Sequence, residues 1–119
     1  FHAADRMVPR VSERYDLVSR PVMRFLEFTL NECNRLGIPV SVCGEVASRP
    51  VEALCLLGLG FRTLSMPAAG IGPVKRMLRS LDLGAFSEAL KTAVHTSNGE
   101  FRNEVLAIAE LQKIVLTDS

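Results

Sequence analysis

Two short apolar segments, each followed by a turn and a helical pattern, limit the fold of this chain more than any other feature. The segments are residues 38–43 and 61–66, and the first is rich in β-branched side chains with its proline near the start. Such runs are typical of short buried strands. Because strand, helix, strand and helix follow one another with short connections, we expect parallel strands joined by right-handed crossovers. This order predicts an α/β fold, either a doubly wound sheet or a (β/α) barrel.

A first helix is predicted between Ser19, with Pro21 in the first turn, and Gly37. A serine cap followed by proline is typical of a helix start, and glycine closes a helix because it readily adopts the left-handed conformation. Apolar residues recur at helical period through this segment. The predicted buried face comprises Val22, Phe25, Leu26, Thr29, Leu30, Cys33 and Leu36.

Four further helices follow from the same periodicity and from the positions of glycine and proline. They are expected over residues 51–57, from Pro73 to a break at residues 83–84, over residues 86–94 and over residues 101–115, with a turn at residues 67–70. The last two are predicted to form a helix pair at the C-terminal end.

Two parallel strands do not make a complete sheet. Parallel sheets are normally covered on both faces and their strands have neighbours, so two strands alone leave an exposed edge and an unfilled core. The chain also begins in mid-pattern at Phe1, without an initiating methionine or a helix cap. We therefore expect a fragment of a larger domain, with an open side that favours association.

The charge balance argues against binding to nucleic acid or to an anionic membrane. Lysine and arginine number 14 against 13 aspartate and glutamate residues, for a formal net charge of +1, so no field of the whole chain would attract a polyanion. The apolar runs are too short to span a membrane, and the first residues do not resemble a signal peptide. We expect a cytoplasmic protein.

Three cysteines, Cys33, Cys43 and Cys55, are an odd number without C-x-x-C spacing, so free thiols are predicted rather than disulfides or zinc ligands. Cys43 and Gly44 lie where an apolar strand gives way to a helix, the place where α/β enzymes carry their chemistry. By itself Cys43 fits either a small buried side chain or a functional thiol. Cys33 and Cys55 lie in or beside helical apolar stripes and are expected in the core.

Several motifs carry a resemblance to a known family. They are Ala4-Asp5-Arg6, Cys43-Gly44-Glu45-Val46-Ala47, Gly58-Leu59-Gly60 and Leu64-Ser65-Met66, in this order along the chain. In these motifs, and in the separation of Arg6 from Cys43, the chain resembles the C-terminal end of phosphoenolpyruvate-protein phosphotransferase, enzyme I of the bacterial phosphotransferase system. The stretch after Gly44 is most similar to the nitrogen-related branch of that family. Met7 and Val8 depart from the family pattern, which usually has glycine and asparagine there.

The resemblance implies a (β/α)8 barrel of the TIM type that binds phosphoenolpyruvate (PEP). Residues 1–119 would be its C-terminal segment, which holds the last two strands with their helices and then a C-terminal helix pair. In such transferases PEP, with Mg²⁺, phosphorylates a histidine on a separate domain, and the phosphoryl group passes on to HPr-type carriers. The enolate that remains is protonated to pyruvate.

By the same resemblance, Cys43 is the catalytic acid that delivers this proton. A thiol suits the role because it holds its proton at neutral pH yet can release it to a carbanion-like carbon. Arg6 and Gly44 are implied as substrate-binding residues, since a guanidinium makes two charge-assisted hydrogen bonds to phosphate and glycine permits close backbone approach. Glu45 would support the loop by hydrogen bonding.

The rest of such an enzyme would lie upstream of Phe1. That part would include the magnesium ligands, further phosphate-binding arginines, the phosphorylated histidine and the surface for the HPr-type carrier. No metal ligand is therefore predicted within this chain, and the isolated fragment is expected to be inactive. The expected partners are PEP, the carrier and a second copy in a homodimer, with neither nucleic acid nor a membrane.

Two alternatives remain open at this point. Pyruvate phosphate dikinase and PEP synthase share the barrel and the Cys-Gly-Glu motif, although Val46-Ala47 and the helices over residues 85–116 fit the phosphotransferase better. A non-catalytic regulatory module could also keep the scaffold without the chemistry. The presence of both Arg6 and Cys43 argues against that alternative.

Overall fold

A computed structural model describes residues 16–96 and 99–116 of the chain. The α-helices are α1 (Arg20–Leu36), α2 (Pro50–Leu59), α3 (Ala68–Arg79), α4 (Leu83–Val94) and α5 (Phe101–Leu111). Two strands, β1 (Val42–Cys43) and β2 (Leu64–Ser65), alternate with the first helices, and a 3₁₀ turn (Glu45–Ser48) joins β1 to α2. The predicted α/β order is confirmed. Helices account for most of these residues.

The two strands pair in parallel, as their order along the chain predicts. Val42 lies opposite Leu64 and Cys43 lies opposite Ser65. Each strand is shorter than the apolar segment that contains it. Within residues 16–96 and 99–116 each strand has a partner on one side only, so a few backbone hydrogen bonds define the whole ladder.

Helix α1 has the predicted ends. Ser19 is its N-cap residue, and Gly37 closes it with a positive φ of 73°. The amide of Gly37 donates to the Asn34 carbonyl at 3.2 Å, and the amide of Ile38 donates to the Cys33 carbonyl at 2.8 Å. This pair of hydrogen bonds is a Schellman motif, which supplies donors to carbonyl groups that have no hydrogen-bond partner within the helix.

The predicted buried face of α1 is partly wrong. The helix buries Met23, Leu26, Leu30 and Cys33, whereas the Phe25 side chain remains 65% exposed. Leu36 is exposed as well. The buried positions follow one stripe at intervals of three and four residues, which faces α2 and α4. A residue two positions from Met23 points about 200° around the helix and so faces away from that stripe.

Helix α3 begins five residues earlier than predicted. Pro67 is its N-cap residue, and Pro73 lies inside the helix. Gly70, Gly72 and Pro73 all disfavour a helix, so local propensity does not explain the early start. The first turn of α3 packs against the 3₁₀ turn before α2, and this tertiary contact accounts for it. The predicted break at residues 83–84 is wrong too. Those residues begin α4, because the side chain of Asp82 accepts a hydrogen bond from the Ala85 amide at 3.2 Å and caps the helix.

The centre of the core is α2, which is buried on most of its surface. Ala53, Leu54, Cys55 and Leu56 are each 0% exposed. On the α4 side, the Gly58 carbonyl accepts a hydrogen bond from the hydroxyl of Ser87 at 2.7 Å. Each fully buried large aliphatic side chain contributes about 1.5–3 kcal/mol. The core positions predicted for Cys33 and Cys55 are confirmed.

Helix α5 contacts the start of α1 through Arg20. The guanidinium forms an ion pair with Glu104, and its Nε donates to the Ala93 carbonyl at the end of α4 at 3.1 Å. The same group lies 5.5 Å from the centre of the Phe101 ring, within the range of a cation–π contact. None of the helices in the described ranges has the length and apolar character needed to cross a membrane.

Candidate functional site

Cys43 ends strand β1 with its side chain in solvent. The preceding residue, Val42, is 3% exposed, while Cys43 is exposed. Successive side chains of a strand point to opposite faces, so burial of Val42 in the core directs Cys43 outward. The sequence left a buried thiol and a functional thiol open. In the described structure the Cys43 thiol is exposed, and its functional role stays a prediction.

The three thiols differ in accessibility. Cys33 and Cys55 are buried, and Cys43 alone among these three is exposed. Burial raises the pKa of the Cys55 thiol, and the nearby Glu52 carboxylate adds to the rise. Cys55 therefore stays protonated and shielded from reagents.

Gly44 turns the chain out of the strand. Its backbone has φ 111° and ψ −175°, a region that only glycine adopts without strain. Its amide donates to the Ser65 carbonyl at 3.1 Å, which continues the parallel ladder by one bond. A Cβ atom at Gly44 would meet no atom of the described residues within 4 Å. The described structure thus requires glycine for its conformation, and the predicted contact with substrate stays a prediction.

The loop after Gly44 is a single 3₁₀ turn held by local hydrogen bonds. The Ser48 hydroxyl donates to the Glu45 carbonyl at 2.6 Å, and the Ala47 amide donates to the Gly44 carbonyl at 3.2 Å. Ala47 is fully buried, so the turn is anchored to the core at its third residue. Glu45 is exposed. The hydrogen bond from the Ser48 hydroxyl is accepted by the backbone carbonyl oxygen of Glu45. The predicted supporting role of its side chain stays a prediction.

The structure brings Cys43, Gly44 and Glu45 together at one end of the two-stranded sheet, beside Ser65 of β2. Arg6 lies outside the described residues. No three His, Cys, Asp or Glu side chains within the described ranges are grouped so that they could hold a metal ion. The described part of the site is therefore one exposed thiol on a tightly turned loop, next to the end of a parallel strand.

Two residues that shape this site were interpreted differently from the sequence, which indicated Ser48 as a helix start and Gly70 as part of a turn with only a weak resemblance to a phosphate-binding loop. Ser48 lies three positions after Glu45, and serine at such a spacing often bonds a nearby carbonyl in a turn, so a signal for it existed. Gly70 is buried against the same turn. No local pattern indicates that Gly70 contacts Ser48, because the two residues belong to different elements.

A sequence model of the family described as "PEP-utilising enzyme, PEP-binding domain" matches residues 1–83. Among curated proteins, the "Phosphoenolpyruvate-dependent phosphotransferase system" protein of Salmonella typhimurium is 33% identical over 103 residues, which are 87% of this chain and 13% of the relative. A "Phosphoenolpyruvate-protein phosphotransferase" of Latilactobacillus sakei is 29% identical over 87% of this chain and 18% of its own length. One from Cupriavidus necator is 39% identical over 62% of this chain and 13% of its own length.

No solved structure matches the chain significantly. The chain spans 13% to 18% of the length of the relatives named above. The family match includes Arg6, both strands and the whole Cys43-Gly44-Glu45 motif. On this match, the chain belongs to the PEP-binding domain family of PEP-utilising enzymes.

Proposed function

We propose that this segment contributes the proton donor of a PEP-protein phosphotransferase, and that Cys43 is that donor. The observation that carries the proposal is the exposed Cys43 thiol at the end of a parallel strand, the edge at which α/β enzymes bind ligands. The curated relatives, which include transferases of this name, support the same reaction.

The proposed reaction divides into two transfers. The bond between phosphorus and the enol oxygen of PEP breaks, and a histidine nitrogen outside this segment takes the phosphoryl group. The enolate left behind forms a C–H bond at its methylene carbon with the proton of the Cys43 thiol, which gives pyruvate and a thiolate. Water then returns a proton to the sulfur. An exposed thiol at a strand end meets the need for contact with both substrate and water.

Arg6, Gly44 and Glu45 take supporting roles in this proposal. Arg6 binds the phosphoryl group, for which a planar guanidinium is suited. Gly44 contributes to substrate binding by permitting close approach to its backbone, and no atom of the described residues lies within 4 Å of a Cβ position there. Glu45 supports the loop from its exposed position in the 3₁₀ turn.

We further propose that the segment is the end of a (β/α)8 barrel. Strands β1 and β2 would be its last two, with α5 and α4 as the C-terminal helix pair. Their parallel pairing and the intervening α2 are the unit from which such barrels are built. The open sides of both strands would then pair with strands from other parts of the protein.

The remaining expectations concern groups and partners beyond the described residues. Mg²⁺ would assist the phosphoryl transfer with ligands from elsewhere in the protein, and an HPr-type carrier would receive the phosphoryl group through another domain. A homodimer would cover apolar side chains such as Phe25 and Phe28, each 65% exposed. Three free thiols support a reducing compartment, hence the cytoplasm. The segment alone would not turn over PEP.

The other functions considered from the sequence are not favoured. The curated relatives named above are phosphotransferases and phosphotransferase-system proteins, which supports that branch over pyruvate phosphate dikinase or PEP synthase. An exposed Cys43 on a glycine-dependent turn supports retained chemistry over a non-catalytic regulatory module.

The first test is Cys43→Ala in the full-length protein, measured by PEP-dependent formation of pyruvate. Loss of a general acid typically lowers the rate by about 10²–10⁴-fold. A rate equal to that of the wild type would contradict the proposal.

The second test is protection from alkylation by iodoacetamide, read at each cysteine by mass spectrometry. PEP is expected to slow modification of Cys43. Cys33 and Cys55 are the internal controls, because both are buried and react only when the fold opens. Equal protection of all three would show that PEP stabilises the fold without contacting Cys43.

A further inference from the structure

The loop that carries Cys43 is packed against α3 at a contact that tolerates no side chain. Gly70 is buried in the first turn of α3, and Ser48 is the last residue of the 3₁₀ turn. A Cβ atom built on Gly70 would lie 2.3 Å from the Ser48 Cβ and 3.0 Å from its Cα. Carbon atoms in contact prefer separations of about 3.5–4.0 Å. A side chain at position 70 would therefore push the turn by about 1 Å.

That displacement would be transmitted to Cys43. The Ser48 hydroxyl donates a hydrogen bond to the Glu45 carbonyl at 2.6 Å, and the Ala47 amide donates one to the Gly44 carbonyl at 3.2 Å. Ala47 is also fully buried, which prevents the turn from retreating into the core. Because these hydrogen bonds link its four residues, we expect the turn to move as a rigid unit. Cys43 directly precedes Gly44, so it would move with the turn.

We propose that Gly70 is a positioning residue for Cys43, because its missing side chain sets how closely α3 approaches the loop. The inference rests on the proposed function, in which the Cys43 thiol must reach the enolate carbon. A misplacement of about 1 Å in an active site can lower a rate by about 10²-fold.

Helix propensity does not account for a glycine at position 70. Alanine is the better helix former, so propensity alone favours Gly70→Ala. Gly72 lies two positions further along the same helix, and within residues 16–96 and 99–116 a Cβ atom there would meet nothing within 4 Å. Gly72→Ala is therefore a matched control, with the same chemical change in the same helix and no contact with the loop.

The kinetic test uses the full-length protein with Gly70→Ala, Gly72→Ala, Ser48→Gly and the double variant Ser48→Gly/Gly70→Ala. We expect kcat for pyruvate formation to fall by about 10–100-fold in Gly70→Ala, with KM within about twofold of the wild type. Gly72→Ala should keep the wild-type kcat. Gly70→Ala should lower kcat less in a Ser48→Gly background than in the wild type, because the Ser48 Cβ is then absent, although approaches of 3.0 Å to the Ser48 Cα and 3.3 Å to its carbonyl oxygen remain. The reference for the double variant is Ser48→Gly alone, which also lacks the hydroxyl hydrogen bond to the Glu45 carbonyl.

The rate of Cys43 alkylation by iodoacetamide provides a readout that does not depend on the reaction. The alkylation rate should change more in Gly70→Ala than in Gly72→Ala. In the double variant it should return toward the rate of Ser48→Gly alone. If Cys43→Ala forms pyruvate at the wild-type rate, the proposed function is wrong, and the alkylation series still tests the contact.

Three results would overturn the inference. They are wild-type kcat and alkylation in Gly70→Ala, an equal loss in Gly72→Ala, and a loss from Gly70→Ala that is equally large in the Ser48→Gly background. If Gly70→Ala does not fold, the double variant decides alone. A folded double variant with a kcat near that of Ser48→Gly supports the contact, and an unfolded one, or one much slower than Ser48→Gly, contradicts it.

Discussion

Arg102 of α5 donates a hydrogen bond from Nη2 to Oε2 of Glu52 in the first turn of α2, at 3.2 Å. The same nitrogen donates to Asp16 at 2.8 Å, so one guanidinium joins α5, α2 and the segment before α1. The Glu52 side chain is only 9% exposed, and a carboxylate in such a position requires a cationic or hydrogen-bonding partner. Arg102 supplies it across 50 residues of sequence.

Replacing Arg102 by alanine is expected to destabilise the contact between α5 and α2 by about 2 kcal/mol. This is less than the 3–5 kcal/mol typical of a broken buried pair, because Arg102 is 31% exposed and Arg49 remains 3.9 Å from Glu52. Amide hydrogen exchange of α2 and α5 in the full-length protein would measure the change.

The control for Arg102→Ala is Arg35→Ala. Arg35 also pairs with a glutamate, Glu32, but both side chains of that pair are well exposed. Exposed ion pairs contribute little, so exchange in α1 should hardly change. An equal effect of the two substitutions would mean that burial of Glu52 does not determine the energy of the Arg102 pair.

Asp16 should make the stability of this region depend on pH under acidic conditions. The hydrogen bond from Arg102 lowers the pKa of Asp16 below its ordinary value of about 3.9. The stabilisation is therefore present above the unfolded pKa and is lost as the pH falls through the lower, folded pKa. Asp16→Asn should be less stable than the wild type at neutral pH, and the difference should shrink below about pH 4. A difference that is constant with pH would contradict the role of the Asp16 charge.

Gly44→Ala should strain the turn that follows Cys43. A non-glycine residue at φ 111° and ψ −175° costs about 1–3 kcal/mol, although no atom would clash with the new methyl group. Hydrogen exchange of residues 42–48 should become faster by a corresponding factor, with Gly72→Ala as a control that lacks both the positive φ and the contact. Unchanged exchange would indicate that the backbone of residue 44 changes to another conformation without cost.

Gly58→Ala tests how closely α2 and α4 approach. The added Cβ would lie 2.6 Å from Leu90 Cδ2 and 2.8 Å from Phe86 Cε2, and both side chains are fully buried. Overpacking of this kind costs about 1–3 kcal/mol, which exceeds the gain of up to about 1 kcal/mol from alanine propensity. Net destabilisation is expected in urea unfolding of the full-length protein.

Gly84→Ala in α4 is the control for Gly58→Ala. A Cβ atom there would have its nearest neighbour, an Asp82 oxygen, at 3.7 Å, an ordinary contact. Only the propensity gain should remain, so the stability should stay equal or rise. Destabilisation by Gly84→Ala to the same extent would argue against the α2–α4 contact as the cause.

Features that depend on neighbouring residues could be predicted from the sequence. The ends of α1, the parallel order of the strands and the core positions of Cys33 and Cys55 all agree with the structure. The buried face of α1 could not be predicted in full, because Phe25 and Met23 are similarly apolar and only the packing against α2 and α4 distinguishes them. The predicted start of α3 was wrong, because Pro67 and Pro73, which lie close together in the sequence, suggested a turn.

The sequence by itself determined the order of helices and strands, the ends of α1 and the motif at Cys43, since strand propensity and the glycines after α1 and after the thiol act through local hydrogen bonds and backbone sterics. Only the tertiary structure decided that the Cys43 thiol is exposed, that Glu52 is partnered by Arg102, and that Ser48 packs on Gly70. These relationships join residues from different elements, and their distances are set by how helices pack on one another. No local sequence pattern encodes these distances, so the packing of the elements against one another decides them.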